Sequence, residues 1–580
     1  MRNIRKEVVS QFRKKLILSI ALSSTNKVLD LMPPVIVSWL VALLSGNGLL
    51  WINKTIASLT IKQQVVALVI FTVLIFIAES LTEWLGKKSY MTLAQDILHF
   101  TRENLVKEYL NKKMAFFDKF NLGNNLAIAS TDVNNLEKYY GTGLYNLTQL
   151  IVLAIIANAI LFSANWYFSI MIFIPMPIIA YLSIVYQKKL YLRFLDVRKS
   201  NGRLISRIEN AFSNIFIVKS FNKEIVETEK IKKTSDKYKL ANYHSINLST
   251  IFIPMVRMIV VIIFAGFLLM GSLQYLNGKM QLSTIVLFSM MLQRLLWPMT
   301  KLGEVLEMKQ NAGASWNRIN QVFCDGMAVD ENKMDSLCSF NNGNIFFDRV
   351  SFKYDTRKVL ALNNVSFKVS QGQKVLLLGN TGSGKTTITK LLVKFYKCQS
   401  GNIYFNGLSI SSYPSKLIRE NITIVSQEVY LFRGAIFDNL IYGCEIIPSI
   451  EQVIEVCKAV CLHEFISELP KGYDSVVGER GVDLSGGQKQ RLNIARGILR
   501  NTSIIVFDEP TSAINTEIAD EVFSNIASIL KDKTVFIITH RPGINLKIDG
   551  SLVFKNGQII ENTLNDDHEL DGIKTNNNRL

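Results

Sequence analysis

A glycine-rich stretch between residues 379 and 386 has the spacing of a phosphate-binding loop. It reads Gly-Asn-Thr-Gly-Ser-Gly-Lys-Thr and fits the pattern G-x-x-x-x-G-K-[ST] in full. An apolar strand pattern precedes it at 374–378 and a helical pattern follows it at 387–395, which is the context that the motif requires. The backbone N–H groups of such a loop surround phosphate oxygens at the start of a helix. The candidate phosphate-binding residues are Gly379, Asn380, Thr381, Gly382, Ser383, Gly384, Lys385, Thr386 and Thr387.

Four side chains in and after this loop have the right chemistry for phosphoryl transfer. Lys385 can neutralise the β- and γ-phosphates of a nucleotide, and the Thr386 hydroxyl can bind Mg²⁺. Further along, an apolar strand pattern at 504–507 ends in two acids, Asp508 and Glu509. We expect Asp508 to bind Mg²⁺ through water and Glu509 to polarise the attacking water molecule. Many strands end in acids, but the phosphate loop upstream makes this pattern strong.

A second anion-binding pattern lies at 484–488, where the sequence reads Leu-Ser-Gly-Gly-Gln before a helical run. Backbone donors and the positive end of the helix dipole at such a position attract an anion. A plain glycine turn with a capping serine would give the same residues, and this stretch by itself does not distinguish the two interpretations. The residues concerned are Ser485, Gly486, Gly487 and Gln488.

Taken in order, the motifs over residues 344–565 resemble the nucleotide-binding domain of an ATP-binding-cassette (ABC) transporter half-molecule of the exporter type. The resemblance implies that ATP and Mg²⁺ are the cofactors and that Tyr354 stacks on adenine. It also implies that Gln427 contributes to metal binding and catalysis and that His540 contacts the γ-phosphate. The implied catalytic residues are Glu509, His540 and Gln427, and the implied metal-binding residues are Thr386, Gln427 and Asp508.

The resemblance further implies that the chain works with a partner. The stretch at 484–488 would be the signature that contacts ATP held by a second nucleotide domain, and 478–481 resembles the exporter-specific loop before it. One chain supplies one phosphate loop and one signature, so function requires a dimer. A homodimer is favoured, and pairing with a related half-transporter is the alternative. Closure around ATP would switch the membrane domain from inward- to outward-facing.

Two positions depart from the family pattern. Asn515 stands in the loop after the catalytic glutamate, where the family usually has Asp, so hydrogen bonding is kept and a charge is lost. Pro542 stands after His540 and Arg541, where Leu is more usual. Because neither change removes an essential group, we expect the chain to hydrolyse ATP.

The chain as a whole has 580 residues, of which 49% are hydrophobic and 19% are charged, and its mean hydropathy is +0.21. Residues 1–320 hold 37 Lys and Arg against 18 Asp and Glu, whereas 321–580 hold 28 against 29. The net charge of +18 therefore lies with the long apolar runs, which argues against nucleic-acid binding. It is typical of a membrane domain with basic flanks, followed by a nearly neutral soluble domain.

Six segments are apolar over about the 20 residues that a membrane-spanning helix needs. Basic residues in alternate connections, at 1–15, 87–140 and 188–246, number 28, against 3 in the connections between them. This bias predicts that both termini and the ATPase domain are cytoplasmic, and the short outer connections favour a bacterial inner membrane. The six predicted spans are 16–44, 65–85, 144–162, 166–186, 248–273 and 282–298.

The predicted fold is an α-helical six-span transmembrane domain followed by an α/β P-loop ATP-binding cassette. The transmembrane domain covers 1–320 and includes long intracellular helices. A linker covers 321–343, the nucleotide-binding domain 344–565, and a flexible tail 566–580. All six cysteines follow residue 320, and among them Cys457 and Cys461 lie close to His463. A zinc site there is conceivable, but a helix face packed into a core is the favoured interpretation.

Charged residues inside spans are candidates for contact with a transported substrate. Arg257 and Arg294 lie in the fifth and sixth predicted spans, and residues 251–300 contain no Asp or Glu. If both arginines face a central cavity, they favour a small substrate that is anionic or amphipathic. The alternative is that they pair with acids of neighbouring spans, namely Asp30, Glu79 or Glu83, or extend to the membrane surface.

The leading functional prediction is ATP-driven export or flipping of a lipid, lipid-linked molecule, peptide or drug-like compound. An ATP-binding membrane regulator is an alternative, although such a protein could dispense with Glu509. The active half of a heterodimeric transporter and an importer of a metal chelate are further alternatives. A soluble ABC ATPase that acts on nucleic acid is excluded by the six predicted spans.

Overall fold

By its contacts the chain divides into two units, Met1–Leu110 with Asn121–Gly326 and Asn111–Phe120 with Met327–Leu580. The first unit is helical and the second is α/β. Residues 325–342 of the predicted linker and the whole predicted tail lie outside the described residues. The computed structural model describes residues 4–45, 60–118, 122–296, 298, 301–324, 343–357, 359–478, 481–540 and 545–564.

The helices of the N-terminal half are numbered here in chain order. Short π-helical turns join α6, α7 and α8 at Ile128–Asp132 and Tyr139–Gly143. The helices are α1 (Ile4–Gln11), α2 (Arg13–Asp30), α3 (Met32–Leu44), α4 (Ile61–Leu110), α5 (Met114–Phe117), α6 (Leu122–Ala127), α7 (Val133–Lys138), α8 (Leu144–Ala164), α9 (Trp166–Phe173), α10 (Pro175–Ser213), α11 (Ile215–Ser220), α12 (Glu224–Leu276), α13 (Leu282–Leu296) and α14 (Leu302–Cys324).

Five helical stretches among the described residues are long and apolar enough to cross a membrane. The helix α13, in the region of the sixth predicted span, is apolar but shorter. At a rise of about 1.5 Å per residue, the longest helix, α12, extends about 80 Å, whereas the hydrocarbon core of a bilayer is about 30 Å thick. The helices therefore continue well beyond a bilayer. The five stretches are Arg13–Leu44, Ile61–Leu110, Asn125–Ala164, Trp166–Ser213 and Glu224–Leu276.

The membrane-spanning helices pack around an aromatic and aliphatic core. Phe168, Phe267 and Phe288 are fully buried there, and the last two rings stack with their centroids 5.4 Å apart. Large apolar side chains on other faces are exposed, among them Ile70 and Ile77 of α4. Apolar side chains that face outwards are what helices in contact with lipid require.

The second unit contains twelve strands and seven further helices within the described residues. The strands are β1 (Ile345–Phe352), β2 (Leu362–Val369), β3 (Lys374–Gly379), β4 (Ser400–Phe405), β5 (Leu408–Ser409), β6 (Ile422–Val425), β7 (Gly434–Ala435), β8 (Val476–Val477), β9 (Ile504–Asp508), β10 (Thr534–Ile538), β11 (Gly550–Lys555) and β12 (Gln558–Asn562). The helices are α15 (Lys385–Leu392), α16 (Ser415–Asn421), α17 (Ile436–Leu440), α18 (Ile450–Ala459), α19 (His463–Glu468), α20 (Gly486–Leu499) and α21 (Thr516–Ile526).

The main sheet of this unit has the strand order β12-β11-β3-β10-β9-β6. Its central strands are parallel, and every residue of β9 and β10 is buried. Strands buried on both faces have almost continuous apolar sequences, as 504–507 has here. A second sheet, β2-β1-β4-β5, is antiparallel. The predicted order of a helical transmembrane domain followed by an α/β domain is confirmed.

Candidate nucleotide-binding site

Neighbouring parallel strands bring the predicted motifs to one edge of the main sheet. The strand β3 ends at Gly379, β9 ends at Asp508 and β10 ends at Ile538, which lies opposite Asp508 in the register of the two strands. Because the carboxyl ends of parallel strands meet at one edge, the phosphate loop lies beside Glu509 and His540. This crevice is where open α/β sheets bind ligands.

Two glycines allow the loop to pass close to other backbone segments. Gly379 has φ +138°, and a Cβ there would lie 2.3 Å from the carbonyl oxygen of Phe554. Gly384 has φ +109°, and its Cβ would lie 2.6 Å from the carbonyl oxygen of Ala361. A side chain at either position would meet both steric overlap and an unfavourable φ. Asn380, Thr381, Gly382 and Ser383 form the rest of the loop between β3 and α15.

Lys385 is the first residue of α15, and its side chain folds back over the loop. Its Nζ atom donates to the carbonyl oxygens of Gly379 at 2.6 Å and Asn380 at 3.0 Å. Burial lowers the pKa of Lys385, and two nearby carboxylates partly oppose this change. The Ser383 hydroxyl is buried and has no hydrogen-bond partner among the described residues. A bound phosphate would supply an acceptor to that hydroxyl and a counter-charge to the lysine, so the loop fits such a group.

Thr386 and Asp508, two of the predicted metal-binding residues, lie close together, and the Asp508 carboxylate is only 8% exposed. Burial raises the pKa of Asp508, and the nearby Thr386 hydroxyl and Lys385 counter part of the increase. A hydroxyl and a carboxylate placed side by side are oxygen ligands of the kind that Mg²⁺ prefers.

Glu509 is held from two sides. Its Oε2 atom accepts a hydrogen bond from Gln427 Nε2 at 2.7 Å, and its Oε1 atom lies 2.8 Å from His540 Nε2. The backbone N–H of Glu509 donates to the carbonyl oxygen of Ile538, and the residue has φ +49°. The three predicted catalytic side chains therefore converge, although Gln427 lies 82 positions before Glu509 and His540 lies 31 positions after it. The carboxylate remains 20% exposed and accessible to water.

Tyr354 lies beside the helix that follows the phosphate loop. Its hydroxyl is 3.2 Å from the hydroxyl of Thr387. Two cations, Arg357 and Lys390, lie 5.8 and 5.5 Å from the centre of its ring. An aromatic face next to cations and to the phosphate loop can receive a nucleotide base while its phosphates occupy the loop.

The stretch at 484–488 forms the start of α20. Ser485 caps this helix in a reciprocal capping box, in which its hydroxyl accepts from the backbone of Gln488 and the Gln488 side chain accepts from the backbone of Ser485. Gly486 and Gly487 approach the loop after Glu509, since a Cβ on either would lie 3.3 or 3.0 Å from an atom of Ala513. Ser485 and Gly486 are themselves exposed. This geometry serves both interpretations of the motif, a capped helix and an anion site.

Gln490 has a position that sequence reasoning did not identify. It is 6% exposed, donates to the Ser512 hydroxyl at 2.6 Å and accepts from the backbone of Ala513 at 2.8 Å. It thus ties the helix of 484–488 to the loop that follows Glu509. Only its place two residues after that motif could have drawn attention to it.

The charged residues of the first unit include one compact cluster. Arg294 contacts both the carboxylate and the backbone carbonyl of Asp30, and Lys27 Nζ lies 2.5 Å from the same carboxylate. Arg294 is therefore paired with an acid of a neighbouring span, the alternative considered above. Arg257 lies on α12.

The cysteines near His463 are part of the packing of the second unit. Cys457 is fully buried in an apolar core, and burial raises the pKa of its thiol to about 11. The ring of His463 is 2.9 Å from the Tyr473 hydroxyl through its Nδ1 atom. Both side chains are thus engaged in packing and hydrogen bonding.

Both halves of the chain match known protein families. Residues 16–299 match the family described as "ABC transporter transmembrane region", and residues 362–512 match the family described as "ABC transporter". The chain has the fold of a bacterial Atm1-family ABC exporter with ATP bound. That comparison has a TM-score of 0.78 and 23% sequence identity, and it covers 95% of each chain.

Several curated bacterial proteins are similar over most of the chain. The ATP-dependent lipid A-core flippase of Haemophilus influenzae (strain 86-028NP) is 31% identical over 488 residues, which are 84% of this chain and 81% of that protein. The flippase of Haemophilus ducreyi is 31% identical over 86% of this chain and 85% of its own length. An ABC transporter ATP-binding protein of Bacillus subtilis, YknU, is 30% identical over 81% of this chain and 80% of its own length.

Proposed function

This chain belongs to the ABC transporters, as an exporter-type half-transporter that couples ATP hydrolysis to transport, and on this basis we propose that it exports or flips an amphipathic substrate. The proposed substrate is a lipid or lipid-linked molecule with an anionic group. The observation that carries the proposal is the convergence of Gln427, Glu509 and His540 beside the phosphate loop, in a chain that also has membrane-spanning helices.

The site residues have distinct proposed roles. Glu509, fixed between Gln427 and His540, orients and polarises the water that attacks the γ-phosphate. His540 can release Glu509 and donate to the γ-phosphate, while Lys385 neutralises the β- and γ-phosphates. Thr386, Asp508 and Gln427 would hold Mg²⁺, which supplies neutralisation of the charge that develops on the phosphates.

The proposed substrate class draws on two observations. The names of the Haemophilus relatives specify lipid A-core flipping, at 31% identity to this chain. Residues 1–320 have a strong basic excess, with 37 Lys and Arg against 18 Asp and Glu. Such an excess favours an anionic group over a cationic one. We infer that Arg257 and Arg294 belong to the helices that the substrate passes.

A second copy of the chain is the proposed partner, with a related half-transporter as the alternative. The exposed start of α20 supports this, because Ser485 and Gly486 are free to meet a nucleotide held by another copy. The short helix α11 supports it as well, since Phe216 is 81% exposed and the nearby Phe221 and Ile225 are 69% and 83% exposed. Apolar side chains this exposed outside a bilayer indicate a contact surface.

The proposed organisation is a transmembrane domain at 1–320, a linker at 321–343, a nucleotide-binding domain at 344–565 and a tail at 566–580. The chain is a membrane protein, and the proposed location is a bacterial inner membrane with both termini and the ATPase domain in the cytoplasm. The charge bias supports this orientation, with 28 basic residues in one set of connections and 3 in the other.

A flipping assay tests the proposal. The chain is reconstituted into liposomes that contain a fluorescent anionic phospholipid, and the accessibility of the label to an impermeant quencher is followed with and without ATP. We expect ATP to change the fraction of accessible label, and Glu509→Gln to abolish that change. An ATP effect of equal size in Glu509→Gln would contradict the proposed coupling. A response to a zwitterionic lipid equal to the anionic one would contradict the proposed substrate class.

A further inference from the structure

A cavity of about 580 Å³ lies between α10 and α12 in the first unit, where the two helices pack side by side. Lys189, Arg193 and Asp196 line it from α10, and their spacing of four and three residues places them on one face of that helix. His244 and Asn247 line it from α12. The cavity therefore combines two cations, an imidazole and an amide with a single acid.

This cavity lies where both helices change from apolar to polar sequence. Lys189 follows the end of the predicted span 166–186 by three residues, and His244 precedes the start of the span 248–273 by four. Ile251 lines the same cavity from within the second of these apolar segments and is 60% exposed. The cavity thus has an apolar end towards the bilayer and a charged end away from it, which is the order of the acyl chains and the headgroup in a lipid.

The two cations of the cavity are available to a ligand. Lys189 and Arg193 are exposed, and neither forms an ion pair with any residue that the structure describes. Further along the same helix, Arg207 is paired with Glu227 of α12 at 2.8 Å. The packing of α10 on α12 therefore neutralises a cation away from the bilayer but leaves the two beside it without a carboxylate. Basic residues in a pocket between helices at this level attract the phosphate of a lipid headgroup.

We propose that this cavity binds the headgroup of an anionic phospholipid, with its phosphate between Lys189 and Arg193 and an acyl chain along Ile251. The imidazole of His244 can donate a further hydrogen bond to a phosphate oxygen, and Asp196 can accept one from a headgroup hydroxyl. Phosphatidylglycerol has both the net negative charge and the hydroxyls that these groups fit, whereas phosphatidylcholine has neither. A lipid held at this site need not be the transported substrate proposed above.

Covalent labelling of histidines in the full chain tests this inference. The protein is embedded in nanodiscs of phosphatidylcholine, with or without phosphatidylglycerol, and treated briefly with diethyl pyrocarbonate. Mass spectrometry of the peptides then gives the rate at which each imidazole is modified. We expect phosphatidylglycerol to slow the modification of His244 about tenfold, as mass action requires of a site that is about nine-tenths occupied.

An exposed histidine farther from the bilayer is the internal control. His99 of α4 lies 14 residues beyond the predicted span 65–85, which is about 20 Å along the helix. The surface potential of an anionic bilayer falls off over about 10 Å. The modification rate of His99 should therefore change by less than about twofold when phosphatidylglycerol is added.

Paired substitutions distinguish a site from a general effect of charge. Lys189→Gln with Arg193→Gln removes both proposed phosphate ligands, and each basic residue near a bilayer surface accounts for about a fivefold change in affinity. With phosphatidylglycerol, His244 of this variant should be modified within about twofold of its rate without that lipid. Lys189→Arg with Arg193→Lys keeps both charges and should keep the protection. Arg198→Gln with Lys199→Gln removes two exposed cations of α10 outside the cavity and should behave as the wild type does.

Three outcomes would overturn the inference. Protection of His244 that persists in Lys189→Gln with Arg193→Gln would attribute the slower labelling to the lower pH at an anionic surface. Equal protection by inorganic phosphate, at the same total concentration as the phosphatidylglycerol, would make the cavity a site for the free anion instead of a lipid. No protection of the wild type would exclude the site. Because none of these readouts requires ATP or transport, they test the lipid site separately from the proposed function.

Discussion

His540 Nε2 lies 2.8 Å from Glu509 Oε1, so the residues that follow two neighbouring parallel strands form one imidazole–carboxylate pair. The pair exists because β9 and β10 are in register up to Asp508 and Ile538, after which both chains leave the sheet at the same edge. Gln427 occupies the other carboxylate oxygen. The glutamate is therefore oriented by two side chains from other parts of the chain.

Removing the imidazole should affect turnover more than nucleotide binding. We expect His540→Ala to lower the ATPase rate by about 100-fold, because Glu509 loses one of its two partners and the γ-phosphate loses a donor. The affinity for ATP, measured by equilibrium binding of a fluorescent analogue, should change by less than about threefold. His463→Ala, at a histidine bonded to Tyr473 instead, should leave the rate within about twofold of the wild type. A loss of binding as large as the loss of rate would contradict this role.

We expect the substitution Asp508→Asn to raise the stability of the protein while abolishing its activity. Its pKa is raised in the folded protein, so protonation favours the folded state and this contribution is lost as the pH rises through the raised pKa. Above the raised pKa, the ionised and buried carboxylate costs stability. Asp508→Asn should therefore raise the melting temperature of the nucleotide-free protein by about 2 °C. Mg²⁺-dependent ATPase activity should be lost. A lower melting temperature for the variant at pH 7 would contradict the sign of this effect.

Alanine substitutions at Gly379 and Gly407 distinguish the cost of steric overlap from the cost of an unfavourable φ. Both have positive φ, but a Cβ on Gly379 would meet the Phe554 carbonyl at 2.3 Å, whereas a Cβ on Gly407 would meet nothing within 4 Å. We expect Gly407→Ala to cost about 1 kcal/mol and Gly379→Ala to cost several times as much. Chemical denaturation measures both. Equal free-energy costs for the two substitutions would show that the Phe554 carbonyl does not restrict the residue at position 379.

The cluster around Asp30 predicts unequal effects of removing its members. Asp30 contacts both Lys27 and Arg294, so its loss leaves two cations without that carboxylate, whereas loss of Arg294 leaves Asp30 with Lys27. Asp30→Ala should therefore lower the thermal stability of the purified protein more than Arg294→Met does, because breaking a partly buried pair by removing one charge costs up to about 3–5 kcal/mol. The control is Lys62→Met, which replaces an exposed lysine near the start of α4. A greater loss in Arg294→Met would contradict this order.

Gln490 should influence turnover through the loop after Glu509. Its two hydrogen bonds fix Ser512 and Ala513. We expect Gln490→Ala to lower the ATPase rate by about tenfold, because the loop loses two buried hydrogen bonds and Glu509 loses part of its support. Gln558→Ala, at an exposed glutamine of β12, should leave the rate unchanged. An unchanged rate in Gln490→Ala would contradict an influence of these two hydrogen bonds on turnover.

The sequence predicted most of the nucleotide site because its groups lie in short motifs with a fixed local geometry. The loop at 379–386 combines backbone donors, a lysine and a hydroxyl in a single turn, and Asp508 and Glu509 end a strand that its apolar run identifies. The roles of His540 and Gln427 were implied by the family resemblance, and the structure brings both side chains to Glu509. The long-range contacts were not predictable in this way. Asp118 and Tyr396, which are joined by a hydrogen bond, are 278 positions apart, and no local pattern connects them.

The membrane domain was predicted less completely. Five of the predicted spans lie in helices long and apolar enough to cross a bilayer, and the sixth lies in the shorter helix α13. Hydropathy locates apolar segments but does not specify how they pack, so the choice between cavity-facing and paired positions for Arg294 required coordinates. Its partner Asp30 is 264 positions away.

The most direct measurement is the vanadate-sensitive ATPase activity of this chain, purified alone in lipid nanodiscs, beside Glu509→Gln. We expect the wild-type chain to hydrolyse ATP without another protein, and Glu509→Gln to bind ATP but to turn it over at least about 100-fold more slowly. Equal turnover by the two proteins would contradict the role of Glu509. Binding without any turnover in the wild type would contradict a self-sufficient homodimer.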